Sequence, residues 1–355
     1  MKTCAVTGAN GFIGSNVVRS LLREGYEVTA LVGADVGLEN LEGLDVEVRE
    51  IDLLDAAGIR SSLQGANHLI HTAANYSFFM PDPASAYRVN VDGTRNVLRA
   101  AGALGYERIV YTSSTATLSP GFETEDAEDT IIDLRRFRGH YKTSKVMAEW
   151  VATRLAAEGL PLMIVYPTVV LGPGDRRPTP TGSMIVHYIN GRMKAYMDMP
   201  QNLVDVEDVA DGHVLALERG RVGHRYILGG DELEMSQVVE ILADLTGIAP
   251  PRVTLPPRLL LTLGFVDEWL ARHLWTHEPL FPVEAALHAR DSRRLDASKA
   301  RKELGFQPRS AEAALLRALQ WFVEQGFCSE RRRLQIETNG RLRERINAGA
   351  SETEI

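Results

Sequence analysis

The sequence predicts an α/β protein: a Rossmann-type doubly wound parallel sheet with a smaller, discontinuous, mainly helical substrate lobe. Three observations predict it. A turn with a glycine every third residue, Thr7-Gly8-Ala9-Asn10-Gly11-Phe12-Ile13-Gly14, joins the apolar run Cys4-Ala5-Val6 to a helix-like stretch. Strand-like and helix-like stretches alternate as far as residue 171, the pattern of parallel strands with right-handed crossovers. A β-run ending in hydroxyl residues, Arg108-Ile109-Val110-Tyr111-Thr112-Ser113-Ser114, precedes a helix that opens Tyr141-Lys142-Thr143-Ser144-Lys145.

The elements follow from short-range pattern. Strands are expected at 2–6, 27–32, 46–51, 68–71, 108–112 and 162–165, and helices at 12–24, 55–64, 84–104 and 139–158. In the first helix Ile13, Val17, Val18, Leu21 and Leu22 make one apolar face. Residues 172–201 change character, punctuated by Pro173, Pro178, Pro180, Gly182, Gly191 and Pro200, and read as a substrate loop. A short strand and helix over 203–219 rejoin the core, and helical patterning dominates from about 229. The expected division is therefore 1–171 plus about 202–228 for the dinucleotide-binding core, and about 172–201 plus 229–322 for the substrate lobe. Residues 323–355, charged and poor in aromatics, read as a mobile or partly helical, solvated tail.

Bulk properties exclude several classes. The 355 residues suit a nucleotide-binding core plus a lobe, and 45% hydrophobic content suits a globular chain. A net charge of −8 with interspersed signs argues against nucleic acid as a partner. Two cysteines, Cys4 and Cys328, make no disulfide framework and fit a reducing cytosol. A strand starting at residue two or three leaves no room for a signal peptide, so a cytoplasmic location is expected. No apolar stretch reaches the length of a spanning helix; the most apolar one, 259–266 with Trp269, Leu270 and Trp275, could touch a membrane surface but reads as a core-facing helix. No metal site is expected: His68 and His71 are three apart on one strand, and His213, His273, His277 and His288 lack ligands at suitable spacing.

The glycine turn and the helix after it suit a pyrophosphate, because glycines admit close backbone approach and a helix N-terminus offers N–H groups and partial positive charge. Tyr141 and Lys145 are one helical turn apart on one face, where an ammonium lowers the pKa of a phenol. A free phenol titrates near pH 10, so that help is needed at neutrality. Ser114, at the carboxyl end of its strand, faces the same crevice and would hold the substrate oxygen. Together these residues describe hydride transfer between a nicotinamide and a carbinol carbon, with Tyr141 as acid or base.

On these motifs the chain resembles an extended short-chain dehydrogenase/reductase of the NAD-dependent epimerase/dehydratase group, from about residue 1 to about 322. Within the group it resembles hopanoid-associated sugar epimerases and dihydroflavonol reductase through His71-Thr72-Ala73-Ala74, Tyr87-Arg88-Val89-Asn90-Val91-Asp92-Gly93-Thr94, Gly172-Pro173-Gly174-Asp175, Pro178-Thr179-Pro180-Thr181-Gly182 and Asn202-Leu203-Val204-Asp205-Val206. The resemblance implies catalytic roles for Ser114, Tyr141 and Lys145, with Lys145 also on the nicotinamide ribose. It implies cofactor contacts from Gly8, Gly11, Phe12, Ile13, Gly14, Asp52 and Leu53 near the adenine, Thr72, Ala73, Ala74, Asn90, Thr112, and Pro167-Thr168 over the nicotinamide. It also implies a homodimer paired through helices.

Three departures narrow the reaction. Ser114-Thr115-Ala116-Thr117 lacks the Asp-Glu pair that dehydratases of the group carry after the catalytic hydroxyl. Gln201-Asn202-Leu203 stands where UDP-sugar epimerases place an arginine and a tyrosine on the diphosphate, and the stretch Glu284-Ala285-Ala286-Leu287-His288, upstream of Asp296-Ala297-Ser298-Lys299, lacks their other arginine. Arg176, Arg177, Arg192 and Lys194 are possible replacements. Apolar candidates for the substrate pocket are Tyr76, Phe78, Phe79, Met80, Met184, Tyr188, Met197 and Met199, of which Tyr76, Phe79, Met184 and Tyr188 are singled out. The expected function is an NAD(P)-dependent oxidoreductase of an apolar secondary alcohol or ketone, polycyclic, sterol- or hopanoid-like, or aromatic. A sugar epimerase is the second enzyme reading, and a redox-silent cofactor-binding regulator the alternative of another class. NAD is expected to be modestly preferred over NADP: Val32 and Gly33 supply neither acid nor arginine, Asp35 follows, and no Lys or Arg occurs from Val28 to Glu47.

Overall fold

The computed structural model describes residues 2–34, 36–76, 82–118, 139–273, 283, 287 and 294–345. The chain opens with β1 (Thr3–Thr7), α1 (Phe12–Arg23), β2 (Glu27–Val32), β3 (Glu47–Glu50), α2 (Ala56–Ser62) and β4 (His68–His71). The expected helix over 84–104 is three consecutive pieces: α3 (Pro83–Tyr87), a π-helical turn (Arg88–Gly93) and α4 (Thr94–Ala103). Then come β5 (Arg108–Thr112), a 3-10 turn (Thr115–Thr117), α5 (His140–Ala157) and β6 (Leu162–Pro167). The remainder is β7 (Val169–Leu171), α6 (Pro180–Ile189), β8 (Ala195–Tyr196), β9 (Pro200–Asp205), α7 (Val206–Arg219), β10 (Arg225–Leu228), β11 (Asp231–Glu234), α8 (Met235–Thr246), β12 (Val253–Thr254), α9 (Pro257–His273), a second π turn (Ala300–Leu304), α10 (Ala311–Glu324) and α11 (Glu330–Asn339).

Two compact units result. The first comprises Met1–Thr168, Val206–Gly229 and Leu295–Pro308. Its sheet has seven strands in the order β10-β6-β5-β4-β1-β2-β3, each pair parallel. The strand order reverses between β1 and β4, so a crevice opens beyond the carboxyl ends of these two strands. Central strands are apolar on both faces, as a sheet covered by helices on each side requires: β6 is buried throughout and β5 is buried from Ile109 to Thr112. This is the predicted Rossmann-type sheet.

The second unit comprises Val169–Asp205, Gly230–Arg294 and Arg309–Ile355. It holds a three-stranded sheet, β11-β9-β7, a two-stranded pair, β12-β8, and helices packed around a core that includes Tyr188, Leu242, Leu315 and Phe322. The boundaries differ from those expected in two places. β7 and β9 pair with each other and β9 with β11, so both strands belong to the second unit, and the first is rejoined by α7. Residues 295–308 belong to the first unit, where Ala297, Leu304 and Phe306 are buried and Arg219 donates to the Leu304 carbonyl at 2.9 Å.

Two further expectations are corrected. The tail is partly helical, as expected, through α11, but it is packed rather than simply solvated: Ile336 and Leu342 are buried in the second core, and Asn339 donates to the Asp244 carbonyl on α8 at 3.3 Å. α9 is not core-facing through its large side chains. It buries Gly264 and Ala271, seven residues apart, while Leu259, Leu263, Phe265, Val266 and Trp269 are exposed. Among the described residues no helix is long and apolar enough to cross a membrane.

Candidate active site

The glycine turn is built for close approach. Gly8 has φ of +68°, and a Cβ there would lie 2.9 Å from the Ala73 Cα. A Cβ on Gly14 would fall 2.1 Å from the Gly8 carbonyl oxygen. The Gly11 N–H donates to the Gly8 carbonyl at 2.9 Å and closes the turn. Gly11 is the N-cap of α1 and no side chain caps this end, so Phe12 and Ile13 begin the helix with backbone donors directed to the crevice end of β1. This cradle, closed to any Cβ and lined by backbone, fits a dinucleotide pyrophosphate.

The end of β4 is tied to the turn. Thr72 Oγ1 donates to the Thr7 carbonyl at 2.7 Å, and the Ala73 N–H to Thr7 Oγ1 at 3.3 Å. Asp52 follows β3, is exposed, and accepts from the Leu54 N–H at 2.9 Å, while Leu53 packs where a Cβ on Gly93 would fall. Pro167 ends β6, and the Thr168 N–H reaches the Leu228 carbonyl of β10 at 3.3 Å. Each of these predicted cofactor residues therefore lies at or just beyond the carboxyl end of a sheet strand.

Asn90 sits in the first π turn, a device that re-aims a side chain within a helix. Its Oδ1 accepts from the Asn75 N–H at 2.7 Å, and its Nδ2 donates to the Asn75 carbonyl at 3.1 Å and to Ser144 Oγ at 2.9 Å. It thereby fixes the segment after β4 to the helix that carries Tyr141 and Lys145.

Tyr141 and Lys145 are both buried in the first turns of α5. The Tyr141 ring packs with Ala86 and Ala116, and Tyr76, 43% exposed, places its ring centroid 4.8 Å from that of Tyr141. Lys145 Nζ donates to the Thr112 carbonyl at 2.9 Å, lies 3.5 Å from the Tyr111 hydroxyl, and sits 5.1 Å from that ring's centroid. Burial pulls the Lys145 pKa down to about 8, with the Glu149 carboxylate acting in the other direction. Thr112 Oγ1 bonds to His213 Nε2 at 2.9 Å; His213 Nδ1 donates to the Val209 carbonyl at 2.7 Å, so Thr112 gives the proton to Nε2. Ser114 caps the 3-10 turn, its Oγ accepting from the Ala116 N–H at 3.2 Å, which leaves the hydroxyl proton to be donated elsewhere.

Sequence reasoning missed the polar groups beneath this surface. His71 Nδ1 lies 2.6 Å from Thr7 Oγ1, its Nε2 3.1 Å from Thr94 Oγ1, and its ring stacks on Tyr111. Burial first and the Lys145 ammonium second push its pKa down to about 3, so it is a neutral structural imidazole. Glu149 was missed too, although its position four residues after Lys145 was a readable signal.

The substrate residues divide. Tyr76 stands beside Tyr141, as above. Tyr188 is corrected: it is 2% exposed in the second core, and its hydroxyl donates to the Ile248 carbonyl at 2.7 Å. Met197 is likewise buried in that unit, and Met184 and Met199 pack partly buried against its core. Phe78, Phe79 and Met80 lie outside the described residues, as do Asp35, Trp275, His277, Glu284, Ala285, Ala286 and His288. Asn202 is buried and occupied: its Nδ2 donates to Glu232 Oε1 at 2.9 Å and its Oδ1 accepts from the Gly230 N–H at 2.9 Å. Arg176, Arg177, Arg192 and Lys194 are exposed.

A doubly wound sheet with a glycine cradle at its switch point and a buried Tyr-Lys pair defines the extended short-chain dehydrogenase/reductase type. Residues 4–229 match the family model described as NAD dependent epimerase/dehydratase family, and the chain belongs to that family. A Synechocystis sp. protein provisionally named dihydroflavonol 4-reductase is 38% identical, over 91% of this chain and 95% of its own length. Sterol demethylase protein B of Methylococcus capsulatus is 34% identical, over 92% of this chain and 99% of its own. The crystal structure of gox2253 superposes with a TM-score of 0.81 at 38% identity, covering 93% of this chain and all of that one. The protein is accordingly an NAD(P)-dependent enzyme of the extended type.

Proposed function

We propose that the protein reduces a ketone to a secondary alcohol, or the reverse, on an apolar substrate of polycyclic or aromatic character. Ser114, Tyr141 and Lys145 carry the chemistry. The Gly8–Gly14 cradle would hold a nicotinamide dinucleotide, whose chemistry there would be to supply or accept the hydride. Tyr141 Oη gives its proton to the carbonyl oxygen during reduction. Ser114 donates a hydrogen bond to the same oxygen and orients it, and the Lys145 ammonium favours the phenolate that Tyr141 becomes. The observation that carries this reading is the Tyr76 ring against that of Tyr141, a half-exposed aromatic beside the reacting residue. The engagement of Asn202 with Glu232 and Gly230, in place of a diphosphate anchor, supports it against a sugar nucleotide. Likeness to sterol demethylase protein B favours a polycyclic substrate.

The epimerase reading differs in the fate of the cofactor. An epimerase retains its reduced cofactor while the keto intermediate turns over, so tightly bound NAD survives purification and added NAD(P)H is not consumed. A reductase should be purified without a stoichiometric dinucleotide and should oxidise added NADH against apolar ketones. Retained NAD together with no consumption across a ketone panel would decide for the epimerase.

NAD should be preferred over NADP. The stretch from Val28 to Glu47 contains no Lys or Arg to meet a 2′-phosphate and is acidic in sequence. The expected ratio of NADPH to NADH dissociation constants is roughly tenfold, about 1.4 kcal/mol. Tighter binding of NADPH would mean that a basic residue from elsewhere, such as Arg60, meets the phosphate.

A further inference from the structure

Glu149 lies one helical turn beyond Lys145 on α5 and is 2% exposed. A carboxylate buried to this degree is costly unless it is hydrogen-bonded and charge-compensated. Three hydroxyls surround it. Ser113 Oγ donates to Oε2 at 2.5 Å and Tyr166 Oη donates to Oε1 at 2.7 Å. Thr117 Oγ1 lies 2.6 Å from Oε2 and 2.7 Å from the Ser114 carbonyl oxygen, so its one proton serves either acceptor. Ser113 and Thr117 bracket Ser114, and Tyr166 immediately precedes Pro167. One carboxylate therefore ties the end of β5, the turn that carries Ser114 and the end of β6 to the helix that carries Tyr141 and Lys145.

We propose that Glu149 is a positioning residue of the hydride-transfer site, holding the Ser114 turn against α5 and supplying the counter-charge that keeps Lys145 an ammonium. Among the described residues, the groups around Lys145 leave this task to Glu149. Tyr111 and the Thr112 carbonyl face it from β5, and Tyr141 and Glu149 share its helix. His71, on β4, stacks on Tyr111 and is held neutral; His213, on α7, is bonded to Thr112, and burial pushes its pKa down to about 4. Burial lowers the pKa of Lys145, and Glu149 is the charge that acts to raise it. The sign is then fixed: Lys145 is charged below its midpoint, and loss of the anion moves that midpoint to lower pH.

The inference rests on the reading that Lys145 serves the reacting tyrosine, but its test is read on cofactor-free protein without substrate. The sequence contains Lys2, Lys142, Lys145, Lys194, Lys299 and Lys302, so a lysine-selective 13Cε NMR titration is tractable, with Lys145→Met to assign the resonance. The wild-type midpoint should lie at about 8. Glu149→Gln, which keeps shape and loses charge, should lower it by roughly one pH unit or more, whereas Glu149→Asp should leave it near the wild-type value. An unmoved midpoint in Glu149→Gln overturns the proposal. If Glu149→Gln does not fold, the doubly neutral Lys145→Met/Glu149→Gln protein should fold, because no uncompensated ammonium remains; failure of both also overturns it. A moved midpoint in a protein that reduces no ketone would remove the reductase and leave the pairing of Glu149 with Lys145 standing.

Discussion

Tyr141→Phe is expected to lower turnover by roughly two to four orders of magnitude, the usual worth of a general acid or base, with folding and NADH affinity nearly unchanged. The ring is what packs: Tyr141 is 8% exposed among Ala86 and Ala116, and phenylalanine keeps those contacts and the approach of Tyr76. Only the proton-carrying oxygen is lost, so kcat should fall while the NADH dissociation constant stays put. Steady-state rates with fluorescence-monitored NADH binding make the measurement. A variant that keeps more than about a tenth of wild-type turnover would take Tyr141 out of the mechanism.

Gly14→Ala should weaken dinucleotide binding roughly tenfold to a hundredfold through one methyl group. That methyl would sit 2.1 Å from the Gly8 carbonyl oxygen and 2.8 Å from its carbon, both backbone atoms that cannot rotate away. The turn must open, at an overpacking cost on the order of 1–3 kcal/mol, or roughly tenfold to a hundredfold in affinity if the cost falls on the bound geometry. Gly25→Ala is the control. Gly25 has φ of +76° with nothing within 4 Å of an added Cβ, so it should lose about 1 kcal/mol of stability to backbone strain and leave NADH binding intact. Wild-type NADH affinity in Gly14→Ala would show that the cradle is not where the pyrophosphate rests.

The features legible in the sequence are those set over short range. The glycine spacing of residues 8–14 dictates a turn whatever the distant chain does, and β1, β2, β4 and β5 are apolar runs between clear breaks. The Tyr141–Lys145 spacing is helical geometry. What escaped depends on partners far along the chain. β10, at the sheet edge, is four residues long and reveals itself only by pairing with β6. Residues 295–308 were assigned to the lobe by continuity, whereas Phe306 is buried against α7, where a Cβ on Gly212 would meet it at 3.2 Å. Ile336 and Leu342 look stray in a charged tail, yet each fills a place in the second core. Tyr188 and Tyr76 read alike as amphipathic aromatics. One hydroxyl found a backbone carbonyl in a core, and the other ring found Tyr141.

Transfer of deuterium from NADH deuterated at the nicotinamide C4 to an apolar polycyclic ketone tests the proposed reaction most directly. A reductase built on Ser114, Tyr141 and Lys145 should yield an alcohol with one deuterium at the carbinol carbon, in step with NADH consumed, and Tyr141→Phe should suppress it. Alcohol formed without deuterium, or bound NADH that transfers none to any ketone while tightly held NAD accompanies the purified protein, would contradict it.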